Sequence, residues 1–155
     1  MRNVVSLEKP AIFVLALISI VIAPLNALSA GQFVDTQQGA VIDVTTGLMW
    51  QSSLSSAMTR QEAVNYCDEL VLAEETDWRL PRAKELQSLF TFQREPGKQL
   101  LDTRFFSSTF RNTAYWSISE RDEGEFYIVF FSSGGLQVGR GVHPARCVRT
   151  IAREM

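Results

Sequence analysis

The sequence predicts one exported α+β domain. Three observations carry that reading: a leader of signal-peptide form, an element order of strands, then helices, then strands, and two cysteines far apart in the chain. Arg2 and Lys9 give the leader a charged start and Ala11 to Ala23 is an almost unbroken apolar run. Pro24 interrupts it, and Asn26-Ala27-Leu28-Ser29-Ala30 offers small residues for cleavage. Those are the parts of a secretory signal. The run is shorter than the roughly 20 residues that span a bilayer. Residues 1–30 are therefore expected to be a signal peptide, and contact with a membrane is expected only if that segment stays uncleaved. No cysteine lies near the cleavage region, which argues against a lipid anchor. The expected address is the periplasm, the cell surface or the exterior.

Residues 31–155 are enough for one domain with one core. They hold 13 basic and 16 acidic side chains, a formal charge of −3. Binding to nucleic acid needs clustered Lys and Arg to neutralise phosphates, so nucleic acid is not an expected partner. Residues 31–93 carry 4 basic and 9 acidic groups and residues 94–155 carry 9 and 7. An acidic ligand would therefore meet the second half. With 1 histidine and 2 cysteines in the chain, most metal and redox chemistry is excluded.

Phe33 to Asp35, Ala40 to Asp43 and Leu48 to Gln51 are short apolar or β-branched pieces punctuated by Gln37-Gln38-Gly39 and Thr45-Thr46-Gly47, the pattern of brief strands joined by glycine turns. Thr59-Arg60-Gln61-Glu62 has the form of a capping box. Behind it Ala63, Val64, Cys67, Leu70 and Val71 form the apolar stripe of a helix ending near Ala73. Glu74 to Asp77 reads as a solvated connection. Pro81 is suited to opening a second helix, with Ala83, Leu86, Leu89 and Phe90 as its buried face. Arg79 is expected to pair with Asp77 or Glu85 at that junction. Residues 91–113 lose periodicity, yet Leu100, Leu101, Phe105, Phe106 and Phe110 need burial, so an ordered loop is expected. Tyr115 to Ile118, Phe126 to Phe131, Leu136 to Val138 and Arg146 to Thr150 then read as strands. Two helices packed on short antiparallel sheets make an α+β domain.

Cys67 lies on the helical stripe and Cys147 in the last strand, 80 residues apart. In an exported domain an even pair points to a disulfide; the alternative is two buried free thiols. A bridge closing so long a loop is worth about 4–5 kcal/mol in the chain-entropy model, as an upper figure.

Several motifs follow one another in fixed order. They are Gly39-Ala40-Val41-Ile42-Asp43 with Thr46-Gly47-Leu48-Met49-Trp50, Ala63 through Tyr66-Cys67 and Leu70, and Asp77-Trp78-Arg79-Leu80-Pro81 with Lys84-Glu85-Leu86-Gln87-Ser88-Leu89. Asp102 with Phe105-Phe106, Tyr115-Trp116-Ser117, Phe130 with Gly134-Gly135, and Arg146-Cys147-Val148-Arg149 complete the series. The ordered set resembles the Lcl C-terminal domain family, named for a bacterial collagen-like adhesin. The resemblance implies a C-type lectin-like fold with one long-range disulfide, in bacterial envelope or secreted proteins, linked in some members to adhesion and sulfated glycan binding. It implies no reaction. The position after Pro81, often a small hydroxyl residue in the family, is Arg82 here, so the second helix is expected to be less well capped. No collagen-like region precedes the domain in this sequence, so avidity from a trimeric stalk is not expected.

Trp50, Trp78 and Trp116 could stack on a sugar ring, but each sits where large aromatics fill cores, and the core reading is preferred. Glu120, Asp122, Glu123 and Glu125 form an acidic hairpin tip that reads as a solvated turn rather than a calcium loop, because the sugar–calcium signatures of lectins are missing. Zinc is poorer still, since His143 has no histidine partner. No metal or other cofactor is expected. Gly139 to Pro144 reads as a flexible loop with an exposed imidazole and no nucleophile context. Among the basic groups of the second half, Arg111, Arg121, Arg140 and His143 fall in predicted loops and are the candidate ligand contacts for a sulfated or carboxylated glycan. The expected role is non-catalytic recognition of a glycan or an envelope protein. A structural subunit of a surface assembly is the alternative, and an oxidase related to formylglycine-generating enzymes is the least favoured reading, because that chemistry needs reactive thiols.

Overall fold

The computed structural model describes residues 32–90, 101–107 and 113–152. The expected signal peptide, residues 1–30, lies outside the described residues, as do Leu100, Phe110 and Arg111. Among the described residues the elements run β1 (Phe33–Asp35), β2 (Ala40–Asp43), β3 (Leu48–Gln51), α1 (Arg60–Asp68), α2 (Ala83–Ser88), β4 (Ala114–Asp122), β5 (Glu125–Phe130), β6 (Leu136–Val138) and β7 (Val148–Thr150). The strands form two antiparallel sheets, ordered β1-β2-β3-β7 and β4-β5-β6. The expected α+β arrangement is therefore present, and the first three strands coincide with the pieces picked out by their glycine punctuation. First and last strands share one sheet, with β7 paired to β3 through Trp50↔Val148 and Met49↔Arg149.

Both faces of the central strands are covered, which explains their continuous apolar runs. All four residues of β3 are buried. Because successive strand residues point to opposite faces, Leu48 and Trp50 join a cluster with Leu86, Leu89, Phe106 and Val148. Met49 joins a second cluster with Ala63, Cys67, Trp78 and Cys147. Tyr115 and Trp116 of β4, and Val129 and Ile128 of β5, divide between the clusters in the same way. All three tryptophans are buried core residues, as preferred from the sequence.

The capping box of α1 forms: the Thr59 hydroxyl accepts from the Glu62 amide and the Glu62 carboxylate accepts from the Thr59 amide. The helix ends at Asp68 rather than near Ala73. Ala73 and Glu74 take positive φ values of 53° and 64°, closing a tight turn in which Leu72 and Glu75 exchange backbone hydrogen bonds. The Trp78 indole N–H clasps that turn by donating to the carbonyls of Leu72 and Glu75. Val71, assigned to the helical stripe, is consequently 69% exposed.

Pro81 precedes α2 instead of opening it; Arg82 is the N-cap and makes no side-chain cap, as its lack of an acceptor requires. The cap comes from elsewhere. The Ser119 hydroxyl of β4 accepts from the Ala83 amide at 3.0 Å, and the Glu85 carboxylate accepts from the Arg82 amide at 2.7 Å. Register shifts in β4 between Trp116 and Asp122 make this possible. The irregular stretch bends toward α2, so that Ile118 donates its amide to the Pro81 carbonyl.

Cys67 and Cys147 form the disulfide, with an S–S distance of 2.07 Å and both residues buried. It joins α1 to the residue just before β7. The predicted strand Arg146 to Thr150 is trimmed to three residues because Cys147 donates its amide to the Gln51 side chain rather than to a ladder carbonyl.

The expected Arg79–Glu85 pair is present and bidentate, at 2.7 and 2.8 Å. The acidic connection is solvated as expected, with Glu74, Thr76 and Asp77 exposed, and Arg149 of β7 pairs with both Glu75 and Asp77. The Arg149 guanidinium holds the Asp77 carboxyl below its ordinary range. Burial pushes Glu85 up, but the Arg79 guanidinium and the Arg82 amide more than offset that and bring it down. Hydrogen bonds from Arg104 lower Asp102. Carboxyls depressed in the folded state contribute stability that is present above the unfolded carboxyl range near pH 4 and lost as pH falls through the lower folded values. The melting temperature, followed by circular dichroism, should be flat from pH 7 to about 5 and fall below about pH 4; a chain most stable in acid would contradict these pairs.

Gly139 has the most crowded Cβ position among the described glycines. A Cβ there would lie 2.7 Å from Trp116 Cη2 and 2.6 Å from Ile128 Cγ2. Gly139→Ala should therefore cost about 2–3 kcal/mol, the upper part of the overpacking range, and shift tryptophan emission as the Trp116 ring is displaced. Urea unfolding followed by fluorescence checks both.

Candidate functional site

Two irregular segments are stitched together beside the end of the β4–β5 hairpin that carries the Ala114↔Phe130 pair. Met58 and His143 exchange backbone hydrogen bonds at 3.1 and 2.9 Å. Ser55 donates its amide to the Ala145 carbonyl, and the Ala145 amide donates to the Ser55 hydroxyl at 2.8 Å. Trp116 underlies the seam: its amide donates to the Pro144 carbonyl and its indole N–H to the Met58 carbonyl at 2.8 Å. Segment 139–144 is hydrogen-bonded at both ends, Gly139 to Phe126 and His143 to Met58, with Arg140 to Val142 exposed between them.

A cleft of about 300 Å³ opens at this seam. Its apolar lining comes from Leu54, Ala57, Ala114, Phe130, Val142 and Pro144, and its polar groups are Ser55, Ser56, Thr113 and His143. The Ser55 hydroxyl is already engaged, donating to the Ser56 carbonyl while accepting from Ala145. His143 is half-buried, with its ring edge-on to Trp116 at 5.0 Å and 84°. Its Nε2 lies 3.0 Å from the Arg140 carbonyl oxygen. A carbonyl only accepts, so Nε2 carries the proton.

Below the seam sits a residue that the sequence reading assigned to an alternating strand. Arg146 is fully buried. Its guanidinium donates to the carbonyls of Gln51 and Ser52, both at 2.6 Å, and of Ser107 at 2.9 Å. It lies over the rings of Phe106 and Tyr115. Burial drives its pKa down to about 10, with Tyr115 acting in the opposite direction. No carboxylate pairs with it among the described residues. This cation fixes the chain just before the seam (Gln51–Ser52) to the 101–107 segment.

The four predicted contacts do not form one cluster. His143 lines the cleft. Arg140 is exposed beside it and engages it through its backbone carbonyl. Arg121 lies near the opposite end of the hairpin, about 20 Å along the strand from Ala114 at the usual rise per residue, and is ion-paired with Asp122 and Glu125. Arg111 lies outside the described residues. At the acidic tip, Glu120 accepts from the Gly124 amide, so it closes its own turn. Among the described residues no three His, Cys, Asp or Glu side chains are grouped to hold a metal ion. No helix among them is long and apolar enough to cross a membrane. Sequence reasoning missed Leu54, Ser56 and Thr113 because they carry no motif and become neighbours only through the seam.

Residues 39–151 match the family model of the Lcl C-terminal domain. The chain belongs to the Lcl C-terminal domain family. No curated protein and no solved structure matches it. The Lcl C-terminal domain as matched takes in both cysteines, Arg146 and every residue lining the cleft, while β1 lies ahead of it as an added edge strand.

Proposed function

We propose that this Lcl C-terminal domain is an exported, C-type lectin-like recognition domain that binds a glycan or a protein partner at the bacterial envelope, through the cleft at the Met58–His143 seam. The observation that carries the reading is the cleft itself. Its mixed apolar and polar lining sits on segments held by backbone pairing, a tryptophan and a buried arginine, and such support presents a preformed surface. The Cys67–Cys147 disulfide supports an oxidising address. The domain acts by binding rather than turnover. Both sulfurs are joined to each other, which leaves an oxidase of the formylglycine-generating type without its thiols, and the Ser55 hydroxyl beside His143 is committed to backbone partners.

Ala57 is exposed at the cleft wall, so Ala57→Trp fills the opening at little expected cost to folding. The mature protein run on a glycan array and in parallel as bait for envelope extract should capture a ligand in at least one format, and Ala57→Trp should lower that signal about tenfold. Capture undiminished by the substitution would move recognition away from the cleft.

A further inference from the structure

We propose that β6 is a pairing edge for a second copy of this chain, joining two domains antiparallel about Gln137 into one continuous sheet. The pairing does not depend on the recognition reading; only its consequence for the cleft does. β6 ends the sheet ordered β4-β5-β6. Its register sets Leu136 opposite Val129, Gln137 opposite Ile128 and Val138 opposite Tyr127. The Phe130 amide donates to the Gly135 carbonyl and the Gly139 amide to the Phe126 carbonyl, so Gly135, Gln137 and Gly139 turn their backbone groups toward β5. By the alternation of an antiparallel ladder, Leu136 and Val138 turn theirs outward. Leu136 is 41% exposed, and Gln137 is exposed as well. Proteins ordinarily guard such an edge with a charged side chain or a proline. Residues 132–139 contain neither.

The edge is complementary to itself. A two-fold axis between Gln137 and its own copy sets Leu136 opposite Val138 of the second copy, as an isologous contact requires. These are the residues whose backbone groups point outward, so each facing pair can exchange its N–H and C=O bonds. Leucine meets valine on one face of the joined sheet. On the other face Gln137 meets itself, and a side-chain amide both donates and accepts. Arg140, the first charged residue after the strand, falls opposite Gly134 of the second copy, so no like charges oppose each other along the pair. The axis stands perpendicular to the sheet, so both copies turn the same face the same way. Ala114 and Phe130, which line the cleft, lie on the face that carries Trp116 and Ile128. Both clefts therefore open on one side of the dimer, and two-site binding is available without a trimeric stalk. So short a contact keeps the association weak, with a Kd of about 10–100 μM.

Sedimentation velocity of the mature protein, from about tenfold below to tenfold above that Kd, should show monomer passing to dimer. Gln137→Lys and Gln137→Glu each set like charges face to face and should weaken self-association about tenfold or more, with the melting temperature unchanged because the position is exposed. An equal mixture of the two variants should recover the dimer, since lysine then faces glutamate. The Leu136 and Val138 amides should exchange with deuterium quickly in dilute protein and slowly in concentrated protein. A chain that stays monomeric throughout, a dimer indifferent to either charge, or a mixture that recovers nothing would overturn the proposal. So would slow exchange of both amides in dilute protein, which would mean that the chain already covers its own edge. An envelope protein captured through this edge by a monomeric chain would replace the second copy as its occupant and overturn the proposal too. On a surface coated with envelope extract, Gln137→Lys should shorten retention. A dimer that captures nothing from extract or glycan array would leave the pairing intact and remove the recognition reading.

Discussion

Arg146→Met is expected to destabilise the domain by about 3–5 kcal/mol, the range for breaking a buried charged arrangement on one side. The guanidinium donates to three backbone carbonyls, those of Gln51, Ser52 and Ser107. Methionine fills much of the same volume but donates to none of them; the Ser52 carbonyl keeps the Ser107 amide, while those of Gln51 and Ser107 lose the guanidinium, and a buried acceptor left unpaired costs about 1–3 kcal/mol. Replacing an ordinary buried ion pair by apolar residues can be neutral, because both partners are removed together. Here the partners are main chain and cannot be removed. Arg146→Lys should recover little, since a point-like ammonium cannot span acceptors on two separate segments as a planar fork does. Urea unfolding with an unchanged slope would read the loss directly. A change below about 1 kcal/mol in both variants would mean that the carbonyls find other partners.

The second large effect concerns the disulfide. The Cys67→Ala, Cys147→Ala double variant should lose up to about 4–5 kcal/mol, the chain-entropy figure for a loop of this length. Loss on that scale is comparable to the whole stability of many domains, so the melting temperature should drop by roughly 10 °C or more. The bridge is buried between α1 and the approach to β7, so reductant alone should act slowly on the native protein and quickly in urea. Alkylation of the purified mature form without reductant should label neither sulfur. Labelling of both would remove the clasp and the main support for an oxidising address.

Much of the fold was legible because its information is local. Glycine turns delimit β1, β2 and β3, and Thr59 with Glu62 announces the start of α1. The end of α1 was not legible, because Leu70 and Val71 continue the apolar stripe while the turn that stops the helix is clasped by Trp78, several residues downstream. The cap of α2 was hidden for the same reason: its acceptor, Ser119, is 36 residues away. Arg146 reads as a surface strand residue until three carbonyls from two distant segments make its burial possible. His143 was recognised as a candidate, but its pairing with Met58 is invisible without the fold. The charged contacts fared differently from the histidine because arginine content says where positive charge is, not which carboxylates have already taken it.

Among the described residues, the hydrogen bonds of the Arg146 guanidinium go to the peptide oxygens of Gln51, Ser52 and Ser107, and that has a consequence for how the domain can vary. A fastening made to the main chain is blind to the residues it fastens. Side chains at 52 and 107 can be exchanged without removing the carbonyls it holds, so these positions can vary while the framework keeps its shape.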